Sequence, residues 1–128
     1  TGCLTRLSFV KAPVVCGTGF HEVAPRKSDY ALASAAAQIN FAAGSGVTSI
    51  HLGIGSVGDF PERLDVNQLC GTPLDDSAIA DAVHAAMQMV ETVEDLHATA
   101  AYRKRVATEL AIRALRDARG EISKDLNQ

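Results

Sequence analysis

Two alternating runs joined by a short glycine-containing link constrain this chain more than any other feature. In "ASAAAQINF", Ala35, Ala37, Ile39 and Phe41 fall on one face, and Ser34, Ala36, Gln38 and Asn40 on the other. The alanines alone would also suit a helix. The next residues decide between the two. "AAGSG", Ala42 to Gly46, is a tight-turn signal, and "VTSIHLGI" alternates again with Ile50, Leu52 and Ile54 on one face. The pattern predicts an antiparallel hairpin of Ala35–Phe41 and Thr48–Ile54, with Ile39, Phe41, Ile50 and Leu52 turned toward a core.

The first residues also alternate. "CLTRLSF" places Cys3, Thr5, Leu7 and Phe9 opposite Leu4, Arg6 and Ser8, which predicts a strand. "APVVCGTG" interrupts it, and the polar stretch from Phe20 to Asp29, with Pro25 inside, reads as extended chain or loop. The second half changes period. Asp75, Asp76 and Ser77 precede a stripe of Ile79, Val83, Met87 and Val90 at helical spacing, with acids where the helix dipole favours them. A short helical piece is expected around Leu64 to Leu69, ended by Gly71 and Pro73. Thr99 or a neighbour should cap a long helix through about Ala118, buried along Tyr102, Val106, Leu110 and Ala114, and Gly120 should stop it. Arg105–Glu109 and Glu109–Arg113 are i,i+4 pairs on its wet side, each worth roughly 0.3 kcal/mol. Strands first and helices later predict an α+β fold. It is an antiparallel three- to four-stranded sheet followed by and packed against about three helices, over residues 1–120, with 121–128 a frayed tail.

At 128 residues the chain holds at most one domain. Its net charge of −3 implies no charge-driven nucleic-acid partner. The basic residues from Arg103 to Arg119 are interspersed with Glu109 and Asp117, as on a solvated helix face. Cys3, Cys16 and Cys70 are widely spaced and odd in number, which suits reduced thiols in a cytoplasmic protein better than a disulfide framework or a zinc site. No apolar stretch approaches membrane-spanning length, so no membrane partner is expected. The chain opens at Thr1 without methionine, and it is expected to be a piece of something longer.

Gly53, Gly55 and Gly58 in "HLGIGSVGDFPERL" spell G-x-G-x-x-G. A dinucleotide fingerprint needs a strand, the glycine turn, and at once a helix whose N-terminus holds the pyrophosphate. Here Phe60-Pro61-Glu62 comes next, and the preceding strand is half of a hairpin. Asp75 or Asp76 stands at the distance of the ribose-binding acid, but opens a helix instead of ending a strand. These glycines read as places where a strand bends or another surface comes close.

The flanking segments carry a resemblance. The chain has Phe20, Glu22, Ala24, Arg26, Asp29, Tyr30 and Ala31; then Gly53, Pro61 and Arg63; then Leu69 and Gly71. It ends with Asp95, Ala98, Thr99, Tyr102 and Arg103, followed by Arg113, Ala114 and Leu115. In that order they resemble the C-terminal domain of the FAD-binding medium subunit of molybdenum hydroxylases, the carbon monoxide dehydrogenase and xanthine dehydrogenase family. Pro25 stands where an arginine is usual there, and Ser28 where glycine is usual. The resemblance implies a parent subunit that binds FAD mainly through a glycine-rich domain absent from these residues. It implies a molybdopterin-binding large subunit and a small subunit with 2Fe–2S clusters, or fused equivalents, in an oligomeric complex. Electrons would pass from the molybdopterin centre through the iron–sulfur clusters to FAD.

Within that resemblance His21 and Leu4 are the flavin-adjacent candidates. A lysine near the position of His21 approaches the flavin in relatives, and a cation or donor there stabilises charge on a reduced flavin. The competing readings are an exposed loop histidine for His21 and a core position for Leu4. Arg26 and Asp29 are candidates for a bidentate pair that fixes a loop. Tyr102 is expected in the core with its hydroxyl bonded, and Arg103 as a partner-facing or capping residue. His51, His84 and His97 show no metal-ligand spacing, and no nucleophile–base pattern is readable. Two function classes remain: a non-catalytic flavin-capping and subunit-assembly domain of an oxidoreductase, or a free-standing α+β interaction or dimerisation module without a cofactor.

Overall fold

A computed structural model describes residues 2–12 and 15–127. Four strands, β1 (Cys16–Val23), β2 (Ala33–Ala42), β3 (Gly46–Gly55) and β4 (Glu62–Leu64), form one antiparallel sheet in the order β1-β2-β3-β4. A single 3-10 turn, Asn67–Leu69, leads to α1 (Asp76–Met87) and α2 (Ala100–Leu126). This is the expected α+β arrangement, with both helices on one face of the sheet.

The hairpin forms as its alternation dictates. Ile39 pairs with Ile50 and Ala37 with Leu52, and Ile39, Ile50 and Leu52 are buried. Phe41 is only half-buried, because the register shifts between Asn40 and Phe41 and turns it from the core row. Gly44 and Gly46 in the turn hold φ of 83° and 71°, the left-handed backbone that only glycine adopts without strain. Ser28 holds φ of 69° in the loop after β1.

Asp75 caps α1: its carboxylate accepts the Ala78 N–H at 2.8 Å and the Ser77 hydroxyl at 3.0 Å. Those bonds draw its pKa below the ordinary 3.8. Ile79, Val83 and Met87 bury the stripe read from the sequence, and Val90 is buried just beyond the helix. Thr99 caps α2, its hydroxyl accepting the Tyr102 N–H at 3.2 Å. Between the layers lie Ile39, Leu52, Ile54, Ile79, Val83 and Leu115, each almost wholly removed from solvent and each worth about 2 kcal/mol of apolar transfer.

Several expectations need correction. Residues 2–12 form no strand and every one is exposed, including Leu4, Leu7, Phe9 and Val10. Alternation gave Cys3–Phe9 strand character, but no described segment of the chain pairs with it. The first strand is instead Cys16–Val23, across the glycines that had looked like a break. The long helix runs through Gly120 to Leu126, because Ala118 and Ile122 continue its buried face. Of the expected stripe Leu110 and Ala114 are buried and Val106 is half-buried, but the buried face is wider and takes in residues one position on. Arg103, Ala107, Leu110, Ala111, Ala114 and Leu115 are buried, whereas Tyr102 is exposed and carries the Arg105 guanidinium 5.7 Å from its ring centroid.

Gly17 and Gly19 explain how α2 reaches β1. A β-carbon on Gly17 would lie 1.7 Å from the Ala118 carbonyl oxygen, and one on Gly19 would lie 2.1 Å from that of Ala114. The helix backbone therefore rests directly on the strand. At this sheet edge the Thr18 N–H and hydroxyl both donate to the Glu121 carboxylate, at 2.7 and 3.2 Å.

Candidate functional site

Helices cover one sheet face and leave the other open. Strand alternation puts Thr18 and Phe20 of β1, Ala36 and Gln38 of β2, His51 and Gly53 of β3, and Arg63 of β4 on the open side. The face is a trough of about 1090 Å³ that passes over the β1 edge to Asp117, Glu121 and Lys124 of α2. Register aligns its floor: Phe20 lies opposite Ala36, Ala36 opposite Gly53, and Gly53 opposite Arg63. One step along, Thr18 lies opposite Gln38, and Gln38 opposite His51. Polar side chains on this face are bonded to one another. Gln38 donates to Asn40 at 2.8 Å, Asn40 donates to Ser49 at 2.8 Å, and Arg63 Nη2 lies 3.0 Å from His51 Nδ1.

His21 stands beside Phe20 at the β1 edge. Its Nε2 is 2.6 Å from Asp117 Oδ2 of α2, so strand and helix are tied by a partly exposed pair. Leu4 lies in the exposed first segment, 78% accessible. Neither the loop reading of His21 nor the core reading of Leu4 describes its place: His21 is on a strand, and Leu4 is outside the core. Among the described residues Arg26 and Asp29 form no ion pair. The Asp29 N–H donates to the Arg26 carbonyl at 3.2 Å, and the Asp29 carboxylate accepts the Tyr30 N–H at 2.8 Å. A turn, not a salt bridge, shapes that loop. Among the described residues no three His, Cys, Asp or Glu side chains come together as a metal site. No helix among them is long and apolar enough to cross a membrane.

Arg103 is the residue whose role the sequence concealed. It is 4% exposed. Nη1 donates to the Leu32 carbonyl at 2.7 Å and the Ser56 carbonyl at 2.9 Å, and Nη2 donates to Asp95 at 2.6 Å. One guanidinium thus joins the start of α2, the loop before β2, the end of β3 and the segment after α1. With the His97 and Ala98 N–H groups, it lowers the Asp95 pKa from 3.8 to about 2. The D-x-x-A-T-x-x-Y-R spacing held the signal, since Asp95 and Arg103 are its first and last members.

The glycine fingerprint has no nucleotide geometry. Gly53 sits in the interior of the sheet, paired with Ala36 on one side and Arg63 on the other. Gly55 ends the strand, and β4 begins at Glu62 with no helix between. The first turns of α1 and α2 are already capped by Asp75 and Thr99.

A four-stranded antiparallel sheet with one open face, backed by two helices and pinned by a buried arginine, defines a small α+β module. Residues 18–118 match the family model of the CO dehydrogenase flavoprotein C-terminal domain, and the chain belongs to that family. Among solved structures it is similar to quinoline 2-oxidoreductase from Pseudomonas putida 86, at 28% identity and a TM-score of 0.74, covering 86% of this chain and 39% of that one. It is also similar to reconstituted CO dehydrogenase from Oligotropha carboxidovorans, at 26% identity and a TM-score of 0.73, covering 85% and 38%. The fold recurs in CO dehydrogenase from Hydrogenophaga pseudoflava, at 23% identity and a TM-score of 0.76, covering 85% and 38%. The chain therefore spans about two-fifths of the length of the chains it resembles. A search of curated proteins finds no significant match.

Proposed function

We propose that this chain is the C-terminal part of the FAD subunit of a molybdenum hydroxylase, where it caps the flavin and contributes to subunit assembly. The observation that carries this reading is the bare sheet face, beside the His21–Asp117 pair, in a chain of the flavoprotein C-terminal family. The residues fit one end of the cofactor. The pyrophosphate requires several converging N–H donors, whereas Gly53 and Gly55 are paired within the sheet and each helix start is capped by one of its own side chains. The flat floor of Ala36 and Gly53, by contrast, suits the ring end. FAD, when bound, would supply the redox chemistry of the parent subunit.

On this reading His21 and Leu4 are the flavin-adjacent residues. Asp117 holds the His21 ring through Nε2 and so fixes its orientation at the β1 edge, on the helix side of the sheet. Leu4, exposed here, packs against the flavin-binding body of the same subunit. The partners of the assembly are a molybdopterin-binding large subunit and an iron–sulfur small subunit, in the cytoplasm.

The test is a complete subunit compared with one truncated before this domain. Capping predicts that truncation exposes the flavin, with brighter flavin fluorescence and stronger quenching by iodide. A truncated subunit that shields its flavin as well as the complete one would remove the capping role.

A further inference from the structure

We infer that the open face is a slot for a planar ring that becomes negatively charged, with Arg63 as its counter-charge; the ring is the reduced flavin, and the inference rests on the reading above. The register carries the argument. Phe20, Ala36, Gly53 and Arg63 form one continuous row across the four strands. Neighbouring strands lie about 4.8 Å apart, so the ends of the row are separated by about 14 Å. Between them Ala36 raises one methyl group above the sheet and Gly53 raises nothing. An aromatic wall, a flat floor and a cationic wall accept three fused rings laid on the floor.

The trough holds both signs of charge, but among the described residues the Arg63 end of the row has no paired acid. Arginine has no acceptor, so the contact from Arg63 Nη2 to His51 Nδ1 at 3.0 Å requires a bare Nδ1 and an imidazole protonated on Nε2. His51 thereby orients the guanidinium without neutralising it. Among the described residues no carboxylate lies within ion-pair distance of Arg63 or of Lys124, the neighbouring cation of the trough. The carboxylates of the trough keep their charge, but Asp117 and Glu121 stand at the β1 edge, across the sheet from Arg63 on β4. Asp117 holds His21, Glu121 holds Thr18, and the Glu62 carboxylate lies toward Gly58. A reduced flavin carries negative charge at the edge of its ring, and a cation at that edge makes reduction easier.

The experiment measures the flavin reduction potential and flavin content of the complete subunit. Arg63→Gln should keep its flavin and make two-electron reduction about tenfold less favourable, a shift of about 30 mV to more negative potential. Arg63→Lys, which keeps the charge, should stay within about threefold of wild type, a shift of under about 15 mV. Gly53→Val tests the floor independently. A β-carbon there meets only the Glu62 carbonyl at 3.6 Å, an ordinary contact, and the side chain stands on the open face; an unchanged far-ultraviolet circular dichroism spectrum verifies the fold before flavin is measured. Flavin affinity should fall about tenfold. Unchanged potential in Arg63→Gln together with unchanged affinity in Gly53→Val overturns the slot. A wild-type subunit without flavin defeats the reading beneath it, which is a separate outcome.

Discussion

Gly19 of β1 lies directly against the Ala114 carbonyl of α2, where a β-carbon would stand 2.1 Å from the oxygen. Backbone, not a flexible side chain, occupies that space, so the helix and strand must separate to admit a methyl group. Overpacking of this kind costs about 1–3 kcal/mol. Gly19→Ala is expected at the upper end of that range in urea unfolding, and a loss below about 0.5 kcal/mol would mean that the contact is loose.

Gly120 gives the opposite sign. It lies in the interior of α2, and a β-carbon there meets nothing within 4 Å. Gly120→Ala should stabilise the chain by about 0.5–1 kcal/mol, since alanine restricts the unfolded chain and favours helix. Destabilisation in thermal unfolding would show that the helix stops at Gly120 after all.

The hairpin was legible because both strands alternate fully and glycines mark the turn between them. The start of α1 was legible because Asp75 is a strong capping residue with an apolar stripe behind it. β1 was hidden because Gly17 and Gly19, which let α2 approach, remove the side chains whose alternation would reveal a strand. The full buried face of α2 was hidden because a charged residue, Arg103, occupies a buried position that sequence patterns assign to solvent. Its compensating partners, Leu32, Ser56 and Asp95, are assembled only by the fold. Gly120 looked like a stop because local propensity does not know that Ile122 has core to reach. The open-face row was unreadable because it depends on the register of three strand pairs.

The Arg103–Asp95 pair makes acid stability testable. Asp95 has its pKa depressed from 3.8 to about 2 in the folded chain. A depressed carboxylate contributes stability above its unfolded pKa and loses it as pH falls through the folded one. Stability should therefore decline between about pH 4 and pH 2, and Asp95→Asn should flatten that limb in chemical denaturation. Arg103→Met, which abandons two backbone carbonyls and the carboxylate, should cost about 3 kcal/mol at neutral pH. An acid limb identical in wild type and Asp95→Asn would contradict the pairing.

The glycine fingerprint should bind no dinucleotide. Calorimetric titration of the chain with NAD or NADP is expected to show no saturable heat at millimolar ligand. A micromolar dissociation constant, about −8 kcal/mol of binding, would require N–H donors that the β3 pairing leaves unavailable.

The most direct test of the central claim is the division of FAD between this chain and its complete subunit. Each is purified, passed through gel filtration and scanned for flavin absorbance. A contact with the ring end alone, without N–H donors converging on the pyrophosphate, does not offset an association cost of several kcal/mol for so large a ligand. The 128-residue chain is therefore expected to emerge colourless, and the complete subunit yellow with one FAD per chain. A 128-residue chain that emerges yellow, or a complete subunit that emerges without FAD, would contradict the account.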